Sequence, residues 1–263
     1  MLHYWKGHIL ITLALAYVAP LHSQSMPIAN HSFEAPVIDP NTNPFLAIPI
    51  VQDWIELDND VENSANTGIF YNPPPGPGHI TNADGKQLMF LGSEQGNAVL
   101  QDLEATYQMC KAYQLSAGVA VSGMFPPDPN DTLTLALYYI DGETRIDIDT
   151  TVVPRTELIS TELVNFSVEI PAVLADDPWA GKNIGVAIRA TGAAGGFWDV
   201  DNVALTQLLS PDFTHDGIVN YYDYAALASE WMDCGTPETD LNQDNCVNLD
   251  ELAILAQCWL ETD

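Results

Sequence analysis

The 263 residues carry 7 Lys+Arg against 36 Asp+Glu, a formal net charge of −29. A chain this acidic repels phosphate backbones and anionic bilayer surfaces, which excludes nucleic-acid binding and electrostatic attachment to a membrane. With hydrophobic residues at 47% and aromatics at 9%, it is too apolar for a disordered polyanion, and a packed core is expected.

Residues 1–25 are expected to be a signal peptide. Lys6 precedes a short apolar run, and Ser23 and Ser25 are small residues suited to a cleavage site. The run is shorter than the roughly 20 residues that span a bilayer, so export is expected rather than an anchor. The mature protein is then secreted, extracellular or at the cell surface, where disulfides can form.

Residues 26–210 read as β. Period-two alternation marks 132–139, 166–170 and 184–188. Further strand-like runs cover 52–57, 87–91, 98–103, 113–121, 145–153 and 198–205. Proline- and glycine-rich turns separate them, among them 72–76, 126–130 and 195–196. About ten short strands without an amphipathic helix predict a mainly β fold, an antiparallel jelly-roll β-sandwich.

Residues 211–263 change character: they hold 12 acids and no Lys or Arg. Helical spacing appears at 222–232 and 250–260, each after an acidic loop, so a small all-α pair of loop–helix repeats is expected. The first loop places Asp212, Thr214, Asp216, Asn220 and Asp223 at positions 1, 3, 5, 9 and 12. The second places Asp240, Asn242, Asp244, Asn248 and Glu251 at the same positions, 28 residues later. This is the oxygen spacing of an EF-hand-type calcium loop. Ile218 and Cys246, at position 7, would contribute backbone carbonyls. Gly217 and Asn245, at position 6, suit the sharp turn. Two Ca²⁺ are expected, with the second loop tighter, because Thr214 is a poorer ligand and Asp223 is shorter than Glu251. Acidic helix-capping turns are the competing reading.

The tandem resembles a type I dockerin, on the doubled loop with Asn220 or Asn248 at position 9, the helix directly after each loop, and the short repeat. The resemblance implies a cohesin-like partner facing Tyr221, Tyr222, Leu249 and Asp250, with docking on the chain's own sandwich domain as the other option. The antiparallel helices of that arrangement would bring Cys234 near Cys246. That pairing is preferred over the alternatives, leaving Cys110 and Cys258 as thiols. No CxxC or His cluster accompanies the cysteines, so zinc is not expected.

The sandwich opens with Asn30-His31-Ser32-Phe33-Glu34 and closes with Trp198-Asp199-Val200-Asp201-Asn202-Val203, with Trp54 in its second strand. It is similar to the galactose-binding-like jelly rolls of carbohydrate-binding modules. That likeness implies a structural calcium between Glu34 and Asp201, the alternative being solvated strand-edge acids. Sugar platforms need aromatic faces, and Phe70, Tyr71 and Trp179 are the loop candidates. No catalytic residue is identified: there is no G-x-S-x-G or HExxH, and Asp147 with Asp149 reads as a solvated strand face. The expected function is a secreted, calcium-binding, carbohydrate-binding protein, docked through its tail to a cohesin-type partner in polysaccharide degradation or surface assembly. The alternatives are a surface structural or adhesion protein, or a polysaccharide-acting enzyme with a jelly-roll active site; related jelly rolls catalyse cyclisation or lyase reactions.

Overall fold

The structure is a computed structural model that describes residues 23–43, 46–57, 66–209, 211–235, 237–241 and 244–260. Residues 1–22 of the expected signal peptide, and Asn242 of the second loop, lie outside the described residues.

Among the described residues, twelve strands form two antiparallel sheets. They are β1 (Ser23–Met26), β2 (Ala47–Ile48), β3 (Ile55–Leu57), β4 (Thr67–Tyr71), β5 (Gln87–Gly92), β6 (Ala98–Thr106), β7 (Lys111–Val121), β8 (Thr132–Asp141), β9 (Thr144–Pro154), β10 (Val164–Ile170), β11 (Asn183–Thr191) and β12 (Phe197–Leu209). One sheet runs β10-β7-β12-β5-β4-β2, and β1 also pairs with β12. The other runs β3-β6-β11-β8-β9. The long β12 holds the first sheet together. It pairs with β7 along one edge; on the other, its start pairs with β5 and its end with β1.

The alternation read in the sequence fills the space between the sheets. Leu133, Leu135 and Leu137 of β8 meet Val186 and Ile188 of β11 and, from the other sheet, Leu115, Val119, Trp198 and Val200. Burying such a set supplies the main drive for folding, at about 25 cal/mol per Å² of apolar surface. Four details differ from expectation. Residues 23–26 join the sheet, so the sandwich starts before the expected cleavage site. The second predicted strand shrinks to β3. Trp54 precedes it in a turn, yet is buried with its ring 5.7 Å from that of Phe33. Strand β4 was read as loop, because Gly68 interrupts its apolar pattern.

The tail carries two short helices, α1 (Tyr221–Ser229) and α2 (Leu249–Gln257). Asn220 and Asn248 cap them, and Asp223 and Glu251 close a capping box in each. Both helices end three residues sooner than predicted, and Met232 and Leu260 follow in left-handed backbone. Val219, Leu227, Val247 and Leu255 form a small core with Phe213, Cys258 and, from the β6–β7 turn of the sandwich, Cys110.

Two disulfides are present. Cys234 is joined to Cys246. Cys110 and Cys258 are not thiols: they are joined across a separation of 148 residues. Helix α2 carries Cys258 onto the sandwich instead of leaving it at a free end. The tail is thus stapled to its own sandwich.

Candidate functional site

On β12, Trp198 and Val200 point into the core, so Phe197, Asp199 and Asp201 stand on the opposite face of the seven-stranded sheet. Asp199 lies opposite Phe90 of β5 and Ala120 of β7, and Phe90 lies opposite Gly68 of β4. The row Gly68–Phe90–Asp199–Ala120 therefore crosses four strands. Glycine is required at its end: a Cβ at Gly68 would sit 2.7 Å from the Phe90 ring and 2.3 Å from the Ile48 carbonyl oxygen. Phe90 meets Phe197 edge-on with ring centroids 5.8 Å apart, and Phe197 meets Phe125 at 6.4 Å. Ile80 and Leu163, from two loops, pack on Leu88 and Ala120 beside this row.

The result is an acid closed into apolar surroundings. Asp199 is 5% exposed, and no hydrogen bond reaches its carboxylate among the described residues. Burial alone pushes its pKa up to about 8, so the group is a protonated carboxylic acid at neutral pH. Sequence reading missed this residue. An acid alternating with apolar residues reads as solvated when one face of a strand is assumed to be wet. The available signal was the pair Asp199 and Asp201 inside an otherwise apolar closing strand.

Asp201 serves differently. Its Oδ2 accepts the Asp84 N–H at 2.8 Å, and its buried Oδ1 has no partner. Glu34 Oε1 accepts the N–H groups of Lys86 and Gln87, both at 2.7 Å. Burial, then the charges of Asp84 and Glu34, raises the Asp201 carboxyl. The two residues that the sequence paired are thus brought to one turn. Oxygen donors with one buried oxygen left over fit a hard cation.

In the tail, oxygens of Asp212, Asp216 and Asp223 lie within 4.8 Å of one another, and so do those of Asp240, Asp244 and Glu251. The capping reading is also realised: Asp223 and Glu251 each accept the N–H of their capping asparagine, at 2.8 and 2.7 Å. Capping and ligation share these residues, but not equally. In the first loop, Asp223 Oδ1 also takes the Thr214 N–H and hydroxyl, both at 2.9 Å. In the second, buried Glu251 Oε1 and Asp240 Oδ1 have no partner among the described residues. Capping alone leaves that loop unsatisfied, and the donor set fits Ca²⁺. Gly217 and Asn245 have φ of 85° and 70°, the left-handed turn expected at position 6. Asn220 Nδ2 donates to the Ile218 carbonyl at 2.9 Å, and Cys246 N–H donates to Asp244 Oδ1 at 2.9 Å.

The three expected sugar platforms do not share one face. Phe70 and Tyr71 lie on β4 rather than a loop, and as neighbours in a strand they face opposite ways. Phe70 packs beside Ile80 and Leu88, while Tyr71 and Trp179 pack against the main core. Asp147 is held by Arg189 in an exposed ion pair, with Asp149 exposed beside it. Tyr221, Tyr222 and Leu249 are exposed at 67%, 69% and 69%, and Asp250 is exposed with them in the first helical turns.

A family model for HpiC1-like proteins, described as HpiC1 cyclase, matches residues 24–206. The chain belongs to the HpiC1-like cyclase family. Among solved structures, a cyclase from Fischerella sp. TAU matches at TM-score 0.52 and 20% identity, covering 71% of this chain and 98% of that one. A second, the Stig cyclase Fisc from Fischerella sp. TAU in complex with (3Z)-3-(1-methyl-2-pyrrolidinylidene)-3H-indole, matches at 0.53 and 20%, covering 70% and 98%. A Fischerella sp. TAU cyclase in complex with 4-(1H-indol-3-yl)butan-2-one matches at 0.52 and 21%, covering 70% and 97%. No curated protein matches the chain.

These matches correct the functional expectation. The family and the shared fold point to a cyclase, not to a carbohydrate-binding protein docked by a dockerin to cohesin in polysaccharide breakdown. Acidic loop repeats and a jelly roll are shared by unrelated activities, so neither could identify the function.

Proposed function

We propose that this protein is a cyclase that closes a ring on the outer face of its seven-stranded sheet, with Asp199 as the proton donor. The observation that carries the reading is a carboxyl enclosed by Phe90, Ala120 and their apolar neighbours, with no hydrogen-bond donor beside it. A carboxyl so placed holds its proton until a substrate offers a better base.

The step is an isomerisation. The Asp199 carboxyl protonates one carbon–carbon double bond of an apolar substrate and becomes a carboxylate. A second double bond attacks the resulting cation and forms the new carbon–carbon bond. A proton then returns from the ring-closed cation to Asp199, so no co-reactant is consumed. Phe90 and Phe197 supply aromatic faces beside a passing cation, an attraction of about 0.5–2 kcal/mol each. The apolar surroundings of Asp199, itself 5% exposed, limit the water that would otherwise capture that cation. The relatives' bound indoles extend the reading to substrate class: an indole bearing an unsaturated side chain.

Calcium belongs to the same proposal in a structural role. The first loop would hold it through Asp212, Thr214, Asp216, Ile218, Asn220 and Asp223. The second would use Asp240, Asn242, Asp244, Cys246, Asn248 and Glu251 and bind more tightly, and Glu34 with Asp201 would hold a third ion. When bound, the ion offsets clustered negative charge, and no proton step passes through it. Two disulfides support an oxidising, extracellular setting.

The test is a panel of alkenyl-substituted indoles incubated with the full chain. The expected result is a product of unchanged mass with one double bond fewer, resolved by chromatography and NMR. Recovery of every panel member unchanged would contradict the cyclase reading for this substrate class.

A further inference from the structure

The two disulfides differ in access and in place. Cys110 and Cys258 are 4% and 0% exposed, sealed in the small core between tail and sandwich. Cys234 is exposed and Cys246 half-buried. A reductant in solution therefore meets the second pair first.

Cys246 is also position 7 of the second acidic loop, between Asp244 and Asn248. Its disulfide partner anchors a short ladder that holds the loop's backbone. Met232 N–H donates to the Val247 carbonyl at 2.9 Å, Val247 N–H to Asp233 at 2.9 Å, and Gly235 N–H to Asn245 at 2.8 Å. Cys234 and Cys246 form the antiparallel bridge at its centre, with Cα atoms 4.1 Å apart. The first loop has Ile218 at the equivalent position and no such bond. It is an internal control within the same chain.

We propose that the Cys234–Cys246 disulfide is a redox switch on the second cation loop: while intact it holds the loop in its binding shape, and its reduction weakens Ca²⁺ there and not at the first loop. This rests on the calcium reading above, whose independent support at this loop is the buried, unpartnered Glu251 Oε1. The chemistry balances with a dithiol as reductant. The dithiol gives two electrons and two protons, becomes a disulfide, and leaves Cys234 and Cys246 as two thiols. The loop must then be ordered at the expense of the chain entropy that the bond had removed.

The experiment uses the full chain and calcium chloride in a calorimetric titration. The oxidised protein is compared with protein treated briefly with dithiothreitol and alkylated, and with the Cys234→Ser/Cys246→Ser double variant. Asp223→Asn and Glu251→Gln assign the first and second loops, and peptide mapping identifies the alkylated cysteines. The expected result is label on Cys234 and Cys246 only, an affinity loss of about tenfold or more at the second loop, and an unchanged first loop. Equal affinities at the second loop before and after reduction, with both cysteines labelled, overturn the switch and leave the calcium reading standing. Equal losses at both loops overturn it as well. Absence of any calcium heat in the oxidised protein overturns the calcium reading itself, and the switch with it.

Discussion

The sandwich and the tail both bury carboxylates, under opposite conditions. Asp199 lies on an apolar stretch of sheet face, opposite Phe90 and Ala120, with Asp201 two residues further along the strand. Asp223 and Glu251 are just as buried, but each lies within 4.8 Å of two other acids and accepts a backbone N–H at the start of a helix. A buried acid without a hydrogen-bond donor relieves its burial by keeping a proton, and so becomes a donor. Clustered acids relieve theirs through backbone donors or a cation, and so become a binding site. The same side-chain chemistry does two kinds of work, and its neighbours decide which.

The comparison breaks first at the staple. Cys110→Ser with Cys258→Ser removes a long-range closure and should lower stability by ~4–5 kcal/mol, seen as a separate early melt of the tail. Next is the tail's own core. Leu227→Ala leaves a cavity at a fully buried position and should cost about 2–4 kcal/mol, read as faster proteolysis of residues 211–263 with the sandwich intact. Chelation with EDTA should reduce the helical circular-dichroism signal while the sandwich melts normally, since only the tail depends on clustered acids. An unchanged helical signal would place the tail's stability in its capping boxes and disulfides alone. The smallest effect is expected on the sandwich side. Phe125→Ala removes the half-exposed outermost ring of the Phe90–Phe197–Phe125 series, losing about 1 kcal/mol of ring contact and shifting product ratios more than rate.

Much of this arrangement was legible in the chain. Period-two alternation located β8, β10 and β11, because each presents one face to a continuous core. Loop spacing located the acid clusters, because alternate residues of a tight turn converge whether they cap a helix or hold an ion. Three things were not legible. Strand β4 was hidden because Gly68 makes room for the Phe90 ring, a contact across strands. The Cys110–Cys258 pairing joins parts of the chain that only the packing of the tail brings together. Above all, nothing local singled out Asp199, because its surroundings are assembled from distant parts of the chain. Ile80 and Leu163 cover its face of the sheet from loops far away in sequence, and no local pattern announces them.

The most direct measurement of Asp199 as the proton donor is kcat/KM for ring closure by Asp199→Asn beside the unaltered protein, with a thermal melt of each. Asparagine keeps the shape and cannot supply the proton. The expected result is a loss of about 10²–10⁴-fold in ring closure with the melting temperature unchanged or raised, because a buried acid without a partner is gone. Ring closure at an undiminished rate by a folded Asp199→Asn protein would contradict it.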